Sequence, residues 1–179
     1  MTTENAIALG GMLVALISVI VALIAFLRQT RDTHLTLGVQ LLRELEGDFD
    51  CDEMRAYRSA LAKLYLKQKP GKPLSGSAFG DHSQIFDFFT TVGLLLKRGV
   101  LDTEFVWTSF SYWFIRYWEV SEADVRAWRK QEADPTYWED CDYLYRELVR
   151  YDANRRGIPA RRETPEELAR FIKEQSDLD

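Results

Sequence analysis

The hydrophobic pattern divides the chain into one long apolar segment and a series of shorter amphipathic ones. Residues 7–27 read IALGGMLVALISVIVALIAFL, which is 21 residues without a charge. A helix rises about 1.5 Å per residue and would extend about 31 Å here, which matches the roughly 30 Å hydrocarbon core of a bilayer. The pattern predicts a transmembrane helix at 7–27, after a short extracytoplasmic lead at 1–6.

A cleaved signal peptide is the main alternative for this segment. The lead has no Lys or Arg, the apolar run is longer than the usual stretch of about 7–15 residues, and Phe26-Leu27-Arg28 does not resemble a small-x-small cleavage site. We therefore expect a retained anchor. Arg28 and Arg31 follow the span, whereas Glu4 is the charge before it, so the positive-inside rule predicts the N-terminus outside and a cytoplasmic domain at the inner (cytoplasmic) membrane.

Small side chains follow one stripe of the predicted span at steps of three and four residues. They are Gly11, Ala15, Ser18, Ala22 and Ala25. Such a stripe lets a second helix approach closely. Two interpretations remain open, namely association through this stripe and the ordinary abundance of small residues in membrane helices.

Beyond residue 28 apolar side chains recur at helical spacing. After a first helix that ends near Gly47, we predict helices beginning near Asp50, Asp81, Asp102, Ser121, Thr136 and Thr164. The stretch 68–80 has two prolines and three glycines and predicts an exposed loop.

Strand-like alternation is missing from the sequence. The fold class is therefore all-α, with one N-terminal transmembrane helix followed by a soluble multi-helix domain. We place that helical domain at 28–157, and a linker with a C-terminal amphipathic helix at 158–179.

The helix after Asp102 is strongly aromatic, because eight of the 14 residues at 105–118 are Phe, Tyr or Trp. One stripe of it consists of Trp107, Phe110, Phe114 and Tyr117. Apolar residues on more than one face favour a central helix of the core. The alternative is a pocket for a small apolar or lipid ligand.

Charge and composition narrow the function. The formal net charge of −5 argues against nucleic-acid binding, which needs a broad basic face. Two histidines and two cysteines, without a recognisable zinc, hydrolase or nucleotide motif, predict no metal, no cofactor and no catalytic residue. The acidic run from Glu132 to Asp142 is interpreted as a charged helix surface, with an acid/base or metal site as the alternative.

A basic turn and the final helix form a second candidate contact surface. Its members are Arg155, Arg156, Arg161, Arg162, Leu168, Phe171 and Ile172. The arginines could meet anionic lipid headgroups, because each basic residue near a membrane surface contributes about 1 kcal/mol. A solvated linker is the ordinary alternative.

The stretch at 86–107, FDFFTTVGLLLKRGVLDTEFVW, carries a family resemblance. Its aromatic pair, Gly93-Leu94-Leu95, Gly99 and Asp102, together with Tyr117-Trp118, resemble an uncharacterised bacterial family of membrane-anchored helical domains of unknown function. The resemblance covers most of residues 6–156. In that family an acid often follows the aromatic pair, where this chain has Thr90, and the resemblance implies no activity, cofactor or substrate.

These features together predict a membrane-tethered cytoplasmic helical interaction module without evident catalytic activity. We expect the lipid bilayer as one partner, and a second copy or another membrane protein as the other. The alternative function is a sensor or enzyme that binds a small apolar or lipid ligand among the aromatic side chains.

Overall fold

The computed structural model describes residues 3–68, 74 and 76–178. Throughout these residues the regular structure is helical, which confirms the predicted all-α class for the described part of the chain. The helices are α1 (Thr3–Asp50), α2 (Asp52–Lys67), α3 (Gly76–Gly80), α4 (Gln84–Lys97), α5 (Thr103–Gln131), α6 (Glu139–Arg156) and α7 (Pro165–Ser176). The chain divides into two compact units, Met1–Gln40 and Leu41–Asp179.

The first unit contains the predicted span. Side chains at 3–17, 27–28 and 30–35 lie outside the described residues, and these include Gly11 and Ala15 of the small-residue stripe. Among the residues that are described, no helix combines the length and the apolar character that a membrane crossing requires. Six apolar side chains between Val19 and Phe26 are 48–65% exposed to solvent. Ser18, Ala22 and Ala25 are exposed beside them.

Aromatic side chains fill the core of the second unit. Phe89 of α4 lies with its ring centroid 4.7 Å from that of Phe114 in α5. Phe49, near the end of α1, approaches Phe89 at 5.5 Å and Phe110 at 5.7 Å. Tilted and edge-on rings at these separations are favourable beyond the area that they bury. The C-terminal end of α1 is therefore part of the core that α4 and α5 form.

The helix α5 is longer than the sequence pattern predicted. The prediction of a separate helix beginning at Ser121 is wrong, because α5 continues from Thr103 to Gln131. Ser121 is fully buried, and its Oγ lies 2.9 Å from the hydroxyl of Tyr65, which donates to it from α2. A serine followed by acids is typical of a helix start, but here the same residues make tertiary contacts inside a helix.

Helix caps were predicted correctly where a side chain closes the first turn. Asp102 accepts a hydrogen bond from the backbone N–H of Glu104 at 2.8 Å, and Thr164 and Glu167 form a complete capping box at α7. The helix predicted to begin near Asp50 begins at Asp52. Because α1 extends to Asp50, the N-cap of α2 is Cys51, whose Sγ accepts from the N–H of Met54 at 3.4 Å.

The predicted loop at 68–80 contains the short helix α3 at its end. Gly80 of α3 lies against the ring of Trp128, so a Cβ at this position would come within 2.3 Å of the indole. This close contact joins α3 to α5. Leu74, earlier in the same stretch, is tied to α5 through its N–H, which donates to Asp124 at 2.7 Å.

The helices α4 and α6 approach each other closely where Gly93 faces the backbone of Asp140. A Cβ at Gly93 would lie 2.3 Å from the backbone carbonyl oxygen of Asp140. The ammonium of Lys97, one turn further along α4, donates to Asp140 Oδ1 at 2.8 Å. Glycine therefore sets the distance between the two helices, and the Lys97–Asp140 pair fixes their register.

We expect Gly93→Ala to lower the free energy of unfolding by about 1–3 kcal/mol, because the added methyl group meets backbone rather than a movable side chain. Urea denaturation followed by circular dichroism measures this change. The matched control is Gly47→Ala in α1, where a Cβ meets nothing within 4 Å, and where alanine should raise the stability by about 0.5–1 kcal/mol. Equal effects of the two substitutions would contradict the close crossing.

Candidate functional site

The aromatic stripe predicted on α5 is used mainly for packing. Phe110, Phe114 and Tyr117 are 0–1% exposed and lie within the core cluster. The Tyr117 hydroxyl donates to the carbonyl oxygen of Arg58 at 3.3 Å and to Oε1 of Gln175 at 3.2 Å, and burial raises its pKa. These three aromatics therefore pack within the core cluster of the second unit.

Trp107, the fourth member of the stripe, lies apart from the other three. Its ring packs 5.6 Å from that of Tyr151 in α6, and the guanidinium of Arg155 lies 4.8 Å from its centroid. Cation–π contacts of this kind are worth about 0.5–1 kcal/mol where the cation is exposed. The structure thus brings together Trp107 and Arg155, which the sequence assigned to two different candidate sites.

The four arginines of the basic turn are paired with carboxylates of this chain. Arg155 lies 3.3 Å from Glu104, and Arg156 lies 2.9 Å from Asp152. Arg161 donates two hydrogen bonds to Glu167, at 3.0 and 3.2 Å, and Arg162 pairs with Glu122. Each guanidinium of the basic turn therefore has an acidic partner in the fold, and the candidate contact with lipid headgroups stays a prediction.

The apolar residues assigned to the same surface face inwards. Phe171 is 1% exposed and Ile172 is 5% exposed, and Leu168 is half-buried. The ring of Phe171 packs edge-on against Tyr117 at 4.8 Å. In the structure Phe171 and Ile172 are buried and do not form an exposed contact surface, because the apolar side of α7 packs on α2 and α5.

A groove of about 430 Å³ opens between α5, α6 and the segment that leads into α7. Its walls combine aromatic, basic and acidic side chains, among them Trp107, Tyr112, Arg116, Arg156, Arg161 and Glu167. The groove contains residues of both candidate sites, the aromatic stripe and the basic turn.

A chain of charged contacts holds the segment before α7 on α5. Arg116 lies 2.9 Å from Glu163, whose own N–H donates to Glu119 Oε2 at 2.8 Å. Glu119 also accepts a hydrogen bond from the hydroxyl of Tyr145 at 2.6 Å. Burial raises the pKa of Glu163, whereas the hydrogen bonds from Arg161 lower the pKa of Glu167 to about 2. These contacts give the segment a defined path along α5.

Two buried polar residues were missed by sequence reasoning. Asp124 is 3% exposed and accepts from the Tyr65 hydroxyl at 2.7 Å and from the N–H of Leu74. Burial, followed by the charge of Asp124, raises the pKa of Tyr65, so the tyrosine stays protonated and donates. The acid looked like part of a helix start, and no pattern in the sequence links it to Tyr65, 59 residues away.

Arg58 of α2 is the other missed residue. Its side chain is 4% exposed, its guanidinium lies 4.2 Å from the ring centroid of Phe49, and its nearest carboxylate is Asp50 at 3.8 Å. Nε has no hydrogen-bond partner within the described residues. Burial lowers the pKa of this guanidinium because the charged form loses its hydration. Arg58 is therefore a buried cation with weak compensation.

Thr90 occupies the position where the resembled family often carries an acid. Its hydroxyl donates to the carbonyl oxygen of Phe86 at 2.7 Å and lies 3.4 Å from Sγ of Cys141. Burial raises the pKa of Cys141, which is retained as a thiol against the α4 backbone. The two residues thus serve the α4–α6 contact.

Metal-binding geometry does not arise in the part of the chain that the structure describes, where no three or more His, Cys, Asp or Glu side chains converge. The acidic run is distributed over separate contacts, as Asp140 pairs with Lys97 and Asp142 with Arg129 at 2.6 Å. Asp134 accepts from the N–H and the hydroxyl of Thr136. Three of the five acids in the run from Glu132 to Asp142 therefore have partners among the described residues that serve the fold.

We expect Arg58→Met to leave the free energy of unfolding unchanged or to raise it by about 1–4 kcal/mol, since replacing a poorly compensated buried charge by an apolar side chain of similar size removes its desolvation cost. Chemical denaturation measures the change. Arg55→Met on the exposed side of α2 is the control, and its effect should stay within about 0.5 kcal/mol. A loss of stability on replacing Arg58 would show that the cation contributes more than its visible contacts.

Comparison with known proteins gives a family and no characterised relative. Neither a curated protein nor a solved structure matches the chain. Residues 12–148 match the family described as Domain of unknown function (DUF4760), and this range includes α2 to α5, Gly93, Gly99 and Asp102. Because the match covers well over half of the 179 residues, the chain belongs to the DUF4760 family of domains of unknown function.

Proposed function

We propose that this DUF4760 protein is a membrane-tethered helical interaction module, with its second unit on the cytoplasmic side. It acts through contacts with a second copy or with another membrane protein. The observation that carries the proposal is the apolar segment at 19–26, whose six large apolar side chains are 48–65% exposed within an uncharged stretch of 21 residues. Contiguous exposed apolar surface of this kind marks a membrane or protein contact.

The second unit supports the same interpretation. Its aromatic residues fill a core, and its charged residues pair within the chain, so the surfaces predicted for a lipid ligand and for lipid headgroups are largely used internally. Attachment to the bilayer then depends on α1. Confinement to a membrane raises the local concentration of a module and makes weak contacts effective.

The two cysteines provide a test of the tether and of its orientation. Cys51 is exposed and Cys141 is buried, so a maleimide reagent should react at Cys51 alone. We expect the protein to stay in membranes after alkaline carbonate, and a membrane-impermeant maleimide to label Cys51 only in vesicles whose cytoplasmic face is outward. Release by carbonate, or labelling in vesicles of the opposite orientation, would refute the proposal.

Matched substitutions in the apolar segment separate insertion from other causes of sedimentation. The double substitution Val19→Arg with Ile20→Arg raises the free energy of membrane insertion by about 2.5–3.5 kcal/mol per arginine near the centre of a span. It should therefore release the protein from membranes. Val19→Leu with Ile20→Leu keeps the segment apolar and should not. If both pairs sediment equally, the protein is held by something other than the bilayer.

Association is tested by amine crosslinking in intact membranes followed by mass spectrometry. Copies grown with light and heavy isotopes distinguish links between copies from links within one, and exposed lysines such as Lys63 and Lys130 provide the amines. We expect mixed-isotope links or links to another membrane protein. Ala22→Leu with Ala25→Leu should reduce links between copies roughly fivefold or more if the small stripe packs, whereas Val21→Leu with Ile24→Leu should not. Links confined to single copies would contradict the module.

A further inference from the structure

The helix α7 lies outside the matched family region, yet it covers a face that lies inside it. The match ends at residue 148, whereas α7 runs from Pro165 to Ser176. Phe171 packs on Tyr112 and Tyr117 of α5, and α7 also packs along α2. The shared family region therefore presents an apolar face, the α2–α5 face, which in this chain is occupied by the chain's own C-terminal helix.

Side chains on the same face also form hydrogen bonds with α7. The hydroxyl of Ser59 donates to the carbonyl oxygen of Ser176 at 3.3 Å, and the buried Tyr117 hydroxyl donates to Gln175. The hydroxyl of Tyr112 donates to Glu174 at 2.9 Å. The α2–α5 face thus binds α7 through apolar contacts at the centre of the helix and through hydrogen bonds near its C-terminal end.

The residues that precede α7 extend this recognition. Glu122 of α5 pairs with Arg162, Arg116 pairs with Glu163, and Glu119 accepts the N–H of Glu163. The face therefore fits a defined segment, an Arg-Glu pair followed by a capped amphipathic helix with adjacent Phe and Ile. Helix-in-groove binding of this type depends on such anchors.

The connection to α7 permits it to leave its own chain. Residues 157–162 are exposed, and Gly157 ends α6 in the left-handed region at φ 67°. A helix of 12 residues is marginal alone, so α7 gains most of its stability on docking. Its capping box and Pro165 are local to the helix and accompany it to any site.

From these observations we propose that the α2–α5 face is a helix-binding site and that it takes α7 from a second copy in exchange for its own. The exchange rests on the proposed function in one respect, since confinement to a membrane supplies the local concentration that favours it. Such an exchange would provide the proposed self-association with a contact in the second unit, which is made by the side chains of α7.

The experiment uses the full chain in detergent, with a protease recognition sequence inserted between Pro159 and Ala160 in the exposed linker. After cleavage, a fluorescent peptide of residues 160–179 stands in for α7 of a second copy. We expect the nicked protein to keep its helical spectrum and to exchange its resident helix for the labelled peptide, as measured by anisotropy and co-elution. The uncut protein should bind the peptide at least tenfold less, because its own α7 has the higher effective concentration.

A peptide with Phe171→Ala and Ile172→Ala is the matched control, and we expect its affinity to fall a hundredfold or more because both side chains are buried anchors. A peptide with Lys173→Ala, changed on the exposed side, should bind like the original. Loss of the remaining fold on release of α7, or failure of the peptide to exchange, would overturn the proposal. Both of these outcomes are measured in detergent and do not depend on the bilayer. Carbonate extraction tests only the membrane anchor, so failure of one proposal can be told from failure of the other.

Discussion

Aromatic packing around α5 is the constraint on which the second unit depends. Phe110 and Phe114 meet Phe49 from the end of α1 and Phe89 from α4, so one helix holds elements that are distant in the sequence. Phe89, Phe110 and Phe114 are buried in this packing, so their rings serve the core. The polar and charged side chains of α5 that could contact a partner lie outside this core, among them Trp107, Arg116 and Glu119.

The fold could be predicted from the sequence where the determining interactions are local. Asp102 and Thr164 close the first turns of their own helices, and the apolar spacing of α4 identifies the buried face correctly. Ser121 shows the limit of this reasoning. A serine followed by acids signals a helix start when its partners are local, but its partner here is Tyr65, 56 residues earlier.

The contacts of the candidate surfaces could not be predicted from the sequence, because they are made with residues far along the chain. Arg162 finds Glu122 40 positions away, and Arg155 finds Glu104 51 positions away. A count of arginines near a turn cannot reveal these carboxylates. The burial of Phe171 followed from its helical spacing, but the sequence did not show whether the face it occupies belongs to this chain or to a partner.

Charge pairing also bears on the proposed attachment to a membrane. A basic patch would bring about 1 kcal/mol per residue from anionic headgroups, but a guanidinium that already holds a carboxylate must give up that contact first. Under the proposed function, the four paired arginines then gain less from lipid headgroups than unpaired arginines would. Under the proposed function, the contacts of the second unit are then selected by shape and by the α2–α5 face instead of by attraction to lipid.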